Sequence, residues 1–315
     1  MNTEPSKQNL LKPEMRVRYI KLGEGGKWEA ECIEKNIIRF GYGTYKEERF
    51  AMCMAGRWNE LKDCFISDKR SIGKANQFTK EARLFFESDL STVWITFVGE
   101  NFYWGILEST PPERHFDGDG VLRKVAGGWR KTDINGELLT KEKLSGALTK
   151  LAAYRGTSCS VDVSDYAIRR INGQKVPQVE QAIEARERMK ESVKELMKLL
   201  IWQDFEILVE LVFSTSGWRR QGAVGKTQKF LDLDLTLPST GECACVQIKS
   251  KTTSAELAEY VEKLGDVGKF DKMFYVYHTG VAVTDDKRVT VIGPQKLADL
   301  VFDAGLTSWL INKVS

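Results

Sequence analysis

Histidine is scarce in this chain and paired cysteines are absent. Only His115 and His278 occur, and Cys32, Cys53, Cys64, Cys159, Cys243 and Cys245 include no CxxC spacing. A zinc finger, an HNH nuclease or an HD site would be short of ligands. No long apolar run and no secretory signal is visible, so the expected location is cytoplasmic, away from membranes, with reduced thiols. Net charge is only +3, so affinity for a nucleic acid must come from local patches. The 315 residues suffice for two domains with separate cores. The polar residues 1–13 read as a flexible tail.

What the chain does have is residues 230–250, FLDLDLTLPSTGECACVQIKS, which read as a β-hairpin. Leu231, Leu233, Leu235 and Leu237 alternate with Asp232, Asp234 and Thr236, giving one apolar and one acidic face. In the second arm Ala244, Val246 and Ile248 are the apolar set, and Cys243, Cys245, Gln247 and Lys249 fall opposite. Residues 238–242 supply the turn. With Thr240 and Gly241 at the tip, Asp234 is expected across from Gln247 and Asp232 across from Lys249. A one-residue slip is forbidden because it would expose the apolar face. Asp234 and Gln247 would then be about 5 Å apart at Cβ, with Lys249 a diagonal neighbour at roughly 7–8 Å. A carboxylate and an amide oxygen suit Mg²⁺ or Mn²⁺, and an ammonium alongside can orient a water or neutralise charge on a phosphate. The competing reading is a solvated hairpin face with ordinary charges.

The flanking sequence weighs on that choice. Asp204 is a candidate N-cap of an apolar helix with Glu206 in its first turn. A basic, glycine-rich stretch, residues 217–226, leads into the acidic arm. The order DFE, GW, DL, QIK resembles the Mrr-like branch of the PD-(D/E)xK nuclease superfamily, over about residues 200–310. The resemblance implies a mixed sheet flanked by helices and DNA hydrolysis with Mg²⁺ or Mn²⁺. It makes Asp234 and Gln247 the metal-binding pair, Lys249 the catalytic lysine and Glu206 the supporting first-helix acid. Asp232 stands where the family more often has a small residue, as a helper or salt-bridge partner. Glu206 can equally be a helix-start acid facing water. Arg219, Arg220, Lys226 and Lys229 are the expected phosphate contacts. Residues 221–227 approach a Walker A loop, but Arg220 stands where the first glycine is required, which argues against an NTP site.

Residues 15–107 read as a compact, strand-rich domain: a strand in MRVRYIKLG, another in IIRFGYG, and a hairpin of STVWITF with NFYWGIL. A helix over residues 77–86 is expected, with Thr79 as its N-cap. Large aromatics are dense here, and any one of them is expected to be core first. Together, RYIKLGEGGKWEAEC, FGYG and VWITF…FYWG resemble an EVE or PUA-like domain. That resemblance implies a cavity for an extruded or modified base, with Trp28, Tyr42, Trp94 and Trp104 as candidate walls.

Between these regions, residues 139–154 read as a helix, residues 157–165 as loop, and residues 178–201 as a charged helix. Its apolar positions, Val179, Ile183, Met189, Val193, Leu196, Met197 and Leu200, are too irregular for clean heptads, so a spacer packed on the following domain is favoured over a dimerising coiled coil. The expected organisation is therefore a tail (1–13), an EVE/PUA-like recognition domain (14–155), a connector (156–200) and a nuclease domain (201–315), α/β and of the α+β kind overall. The implied activity is a modification-dependent DNA endonuclease used in restriction of foreign or phage DNA, paired as a homodimer or transient dimer on DNA. A non-catalytic nucleic-acid-binding protein and an RNA-directed PUA-like protein are the alternatives.

Overall fold

A computed structural model describes residues 10–115, 119–221, 231–265 and 270–315. The architecture is mixed α/β, as the residue patterns predict, and divides into two units, Met1–Val176 and Pro177–Ser315. Among the described residues no helix is long and apolar enough to cross a membrane, and all six cysteines are free.

The first unit runs β1 (Arg16–Ile20), α1 (Glu29–Glu34), β2 (Ile37–Phe40), α2 (Glu47–Met54), α3 (Trp58–Ser67), α4 (Ile72–Phe86), β3 (Thr92–Val98), β4 (Asn101–Ile106), β5 (Glu113–Arg114), β6 (Val121–Lys124), α5 (Gly146–Thr149), β7 (Ser158–Ser160) and α6 (Ser164–Ile171). One sheet has the order β4-β3-β1-β7 and a smaller one the order β2-β6-β5. β1 and β3 are parallel, which requires a crossover, and the crossover is α1 to α4. β3 is buried on both faces: Trp94 joins the core beneath the crossover helices, while Val93, Ile95 and Phe97 join a second core with α6. That explains why TVWITFV is apolar almost without interruption.

Several expectations for this unit need correction. It is not simply strand-rich, since four helices lie between β1 and β3. α4 starts five residues before position 77, where Ser71 Oγ accepts from Lys74 N; Thr79 lies inside the helix and donates to the Ala75 carbonyl. Residues 139–154 hold only α5 between two 3₁₀ turns, Lys141–Lys143 and Lys150–Ala153. Within the supposed tail, Leu11 is buried. Its N–H donates to Asn172 Oδ1 and its carbonyl accepts from Asn172 Nδ2. The supposed connector does not exist as one: β7 pairs with β1 and α6 packs in the same core.

The second unit runs α7 (Pro177–Met197), α8 (Trp202–Thr215), β8 (Arg219–Arg220), β9 (Leu233–Leu237), β10 (Glu242–Thr252), α9 (Ser254–Gly265), β11 (Lys272–Gly280), β12 (Val289–Ile292), α10 (Pro294–Asp303) and α11 (Thr307–Val314). α7 therefore belongs to this unit, with Val193 and Met197 in its core. The sheet order is β12-β11-β10-β9-β8; β8, β9 and β10 are antiparallel and β10, β11 and β12 parallel. Alternation splits the sheet's two faces. Leu233, Leu235, Val246, Ile248 and Val276 pack with α7, α8, α10 and α11, whereas Cys245, Met273, Tyr275 and Tyr277 pack with Leu257 of α9. β11 ends at Gly280, which has φ +103°, and a side chain there would collide with the Thr252 carbonyl.

Candidate functional site

The hairpin forms, but in a register two residues from the expected one. Leu237 pairs with Glu242, so residues 238–241 make a four-residue turn, and Asp234 pairs with Cys245 rather than Gln247. Slippage by two preserves which side chains are buried, so burial alone does not choose between these registers. The consequence is that Asp232, not Asp234, reaches Gln247.

Asp232 lies just before β9. Its N–H donates to the Val246 carbonyl at 3.0 Å. Its Oδ2 accepts from Gln247 Nε2 at 2.7 Å and from Ile248 N at 2.6 Å. The carboxylate thus replaces a backbone partner where the ladder of β9 stops. Because Asp232 is an acceptor, the Gln247 amide must turn its nitrogen towards it. That leaves Oε1 buried, with no partner among the described residues, on a side chain only 5% exposed.

Electrostatics single out the same residues. Burial pushes the Asp232 carboxyl above its ordinary range, although the Ile248 N–H, the Lys249 charge and Gln247 pull the other way. Glu206, on α8, is raised first by burial and then by the Asp232 charge, with Arg220 opposing. The Asp232 charge thus disfavours the charged form of Glu206, a strain that a cation between them would relieve. Asp204 is not the cap of α8; it lies in the first turn and pairs with Lys313 Nζ at 2.9 Å.

Lys249 follows Gln247 on the same face of β10. Its Nζ is 3.1 Å from Glu256 Oε1 and 4.9 Å from the centre of the Tyr260 ring, both on α9. Burial opposes its charge, but hydrogen bonds to Tyr260 and Glu256 outweigh that and hold the amine above its ordinary range. Lys249 is thus a fixed cation beside Asp232. Nothing in the sequence patterns had pointed to Glu256 or Tyr260; their i, i+4 spacing on the helix after β10 is the available signal.

A hard cation here would take Asp232, Glu206 and Gln247 Oε1, with waters completing the shell. The donor set is all oxygen and one of its members is an orphaned buried acceptor, which fits Mg²⁺ or Mn²⁺. Among the described residues no group of three His, Cys, Asp or Glu side chains is placed to hold a metal, so two carboxylates and an amide are what this site offers. Of the expected phosphate contacts, Arg219 is exposed. Arg220 is paired with Glu210 Oε2 at 2.8 Å, and Lys226 and Lys229 lie outside the described residues, as does most of the Walker-like stretch.

In the first unit the expected base-pocket residues separate. Trp94 and Trp104 are core, 0% and 1% exposed. Their indole N–H groups donate to Ser88 Oγ and the Thr132 carbonyl. Trp94 sits on β3, which is buried on both faces and leaves its indole no route to solvent, and Trp104 on β4 packs in the second core. Trp28 and Tyr42 instead line an open cavity of about 1020 Å³, also lined by Phe78 and Tyr154, by seven cations, Lys21, Lys27, Lys46, Arg49, Arg70, Lys74 and Arg155, and by three acids, Glu24, Asp68 and Asp119, of which Asp119 pairs with Lys27 and Asp68 with Arg49. Tyr42 adopts a left-handed backbone conformation, φ +62°, which for a residue with a Cβ costs roughly 1 kcal/mol or more. It is held there by stacking on Phe78, ring centroids 3.8 Å apart, and by donating to Glu81 Oε2 at 2.9 Å. Trp28 is flanked by Lys27 and Arg39, 4.8 and 4.6 Å from its ring.

Compared with protein-family models, with curated proteins and with solved structures, the chain matches none.

Proposed function

We propose that the second unit is a divalent-cation-dependent DNA endonuclease of the Mrr-like PD-(D/E)xK kind, and that the first unit selects DNA by a base feature in its aromatic cavity, as an EVE or PUA-like domain would. Together they would restrict foreign or phage DNA carrying modified bases. The observation that carries this reading is the contact between Asp232 and Gln247, with Lys249 two residues further along the same strand. The mixed sheet of β8 to β12 with helices on its faces is in keeping with the frame that the resemblance implied.

A bound Mg²⁺ or Mn²⁺ would polarise the scissile phosphate and lower the pKa of an attacking water. Asp232 and Glu206 supply its negative ligands, and Gln247 Oε1 a neutral one. Lys249, held as a cation by Glu256 and Tyr260, is suited to neutralise charge that builds on the phosphate rather than to accept a proton. In the first unit the cavity's excess of cations over acids suits a phosphate backbone, and Trp28, Tyr42 and Phe78 offer faces on which a base can stack.

The test is cleavage of DNA bearing modified or unmodified cytosine, with Mg²⁺ titrated. The wild-type protein should give metal-dependent product, and Asp232→Ala and Lys249→Ala should each reduce the rate by about 100-fold or more while DNA binding persists. Absence of any cleavage product at every Mg²⁺ concentration, with binding retained, would leave a nucleic-acid-binding protein, and preferential action on RNA would move the substrate class.

A further inference from the structure

Outside both sites, the first unit contains a cavity of about 200 Å³ lined by Arg16, Arg18, Thr92, Ser160 and Ser164, with Ser88 at the end of α4. The sheet brings them together. Arg18 is registered with Ser160 on β7, and Arg16 with Thr92 on β3, so cations and hydroxyls from three neighbouring strands share one face. Ser164 is the first residue of α6, whose N-terminal end carries partial positive charge.

Arg18 is the unusual member. It is 7% exposed, its Nε has no partner, and its two other nitrogens reach only Ser160 Oγ and Ser158 Oγ, both at a long 3.3 Å. Its guanidinium lies 5.7 Å from the centre of the Trp94 ring, and among the described residues no carboxylate lies within ion-pair distance of it, whereas the more exposed Arg16 pairs with Asp89 Oδ1 at 3.2 Å. Glu81, a buried acid whose charge Arg18 feels, is already committed to Tyr42, Gln77 and the Ser158 N–H. Glu87 also lines the cavity, but its carboxylate accepts from Trp58 and Arg83. A guanidinium buried without a counter-charge is costly, and burial accordingly lowers the pKa of Arg18, with the Glu81 charge opposing. At roughly 30 Å³ per water the cavity holds about six waters, which is room for a tetrahedral oxyanion and part of its hydration shell.

We propose that this cavity binds a phosphate group, free or as a terminal monoester, between Arg18, Arg16 and the hydroxyls of Thr92, Ser160 and Ser164. The site does not depend on the nuclease reading, and nothing in the cation site or the aromatic cavity requires it.

The test is calorimetric titration of the full chain with inorganic phosphate at constant ionic strength, chloride serving as the control. Saturable binding with a Kd of about 1 mM or tighter is expected. It should weaken about tenfold in Arg18→Gln and about threefold in Ser160→Ala. If Arg18→Gln does not fold, the Ser160→Ala, Thr92→Val and Ser164→Ala variants carry the test. Titration with a nucleoside 5′-monophosphate and with a 5′-phosphorylated oligonucleotide, each against its unphosphorylated form, distinguishes a free ion from a chain end. Absence of saturable heat with every phosphate, or wild-type affinity in all the variants, would overturn the proposal.

Discussion

Asp232 and Asp234 have the same side chain, point to the same face and lie two residues apart, yet only one of them touches Gln247. Alternation made the hairpin and its faces legible in the sequence. It could not fix the register, because a shift by two moves every pair while leaving burial unchanged. Trp94 and Trp104 show a related limit. An aromatic in a strand is a candidate for packing or for recognition, and only the second core, which covers the other face of β3, decides between them. Trp94→Ala should therefore lower the stability of the first unit by about 3–5 kcal/mol in urea denaturation; a loss below about 1 kcal/mol would mean that the indole is not core. The orphaned Gln247 oxygen is the feature that no sequence pattern could have shown, since it follows from which way one amide turns.

At the scale of elements, β1 to β4, the arms of the hairpin and the helix α8 were readable because their apolar patterns are regular. α2 and α3 were not, since α2 buries only Cys53 and α3 only Leu61 and Phe65, too few apolar positions to set a period. β7 was missed for the same reason: three residues carry no period. The packing of α8 on β11 leads to a pH-dependent prediction. His278 is 6% exposed, its ring meets Phe205 edge-to-face at 4.6 Å, and its Nδ1 lies 2.9 Å from Thr279 Oγ1. Burial, with the Lys198 charge adding to it, holds its pKa below the ordinary value of 6.5. The folded chain thus binds this proton less tightly than the unfolded chain does. The stability that depends on a neutral His278 is complete above the unfolded value and is lost as the pH falls through the lower folded one. His278→Phe keeps an aromatic contact with Phe205 and should flatten the dependence of unfolding free energy on pH below about 6.5; an unchanged slope in chemical denaturation would contradict this.

For the molecule as a whole, the border between the units at residues 176 and 177 differs from both borders that composition suggested, 155 and 201. The small, polar residues 157–165 look like loop, but they contain the strand that completes the sheet beside β1. The charged α7 looks like a spacer, but its last two turns supply buried Val193 and Met197. A fragment of residues 1–176 should accordingly show dispersed amide resonances and a cooperative melt, whereas 1–155, lacking β7 and α6, should show neither. A folded 1–155 would mean that the sheet closes without them.

The central claim is that a divalent cation lies between Asp232, Glu206 and the free oxygen of Gln247, and calorimetric titration of Mn²⁺ tests it without reference to any substrate. The account predicts that Asp232→Asn weakens binding by about tenfold or more while Asp234→Asn stays within about twofold of the wild type. The reverse order, or a wild-type protein that takes up no Mn²⁺, would contradict it.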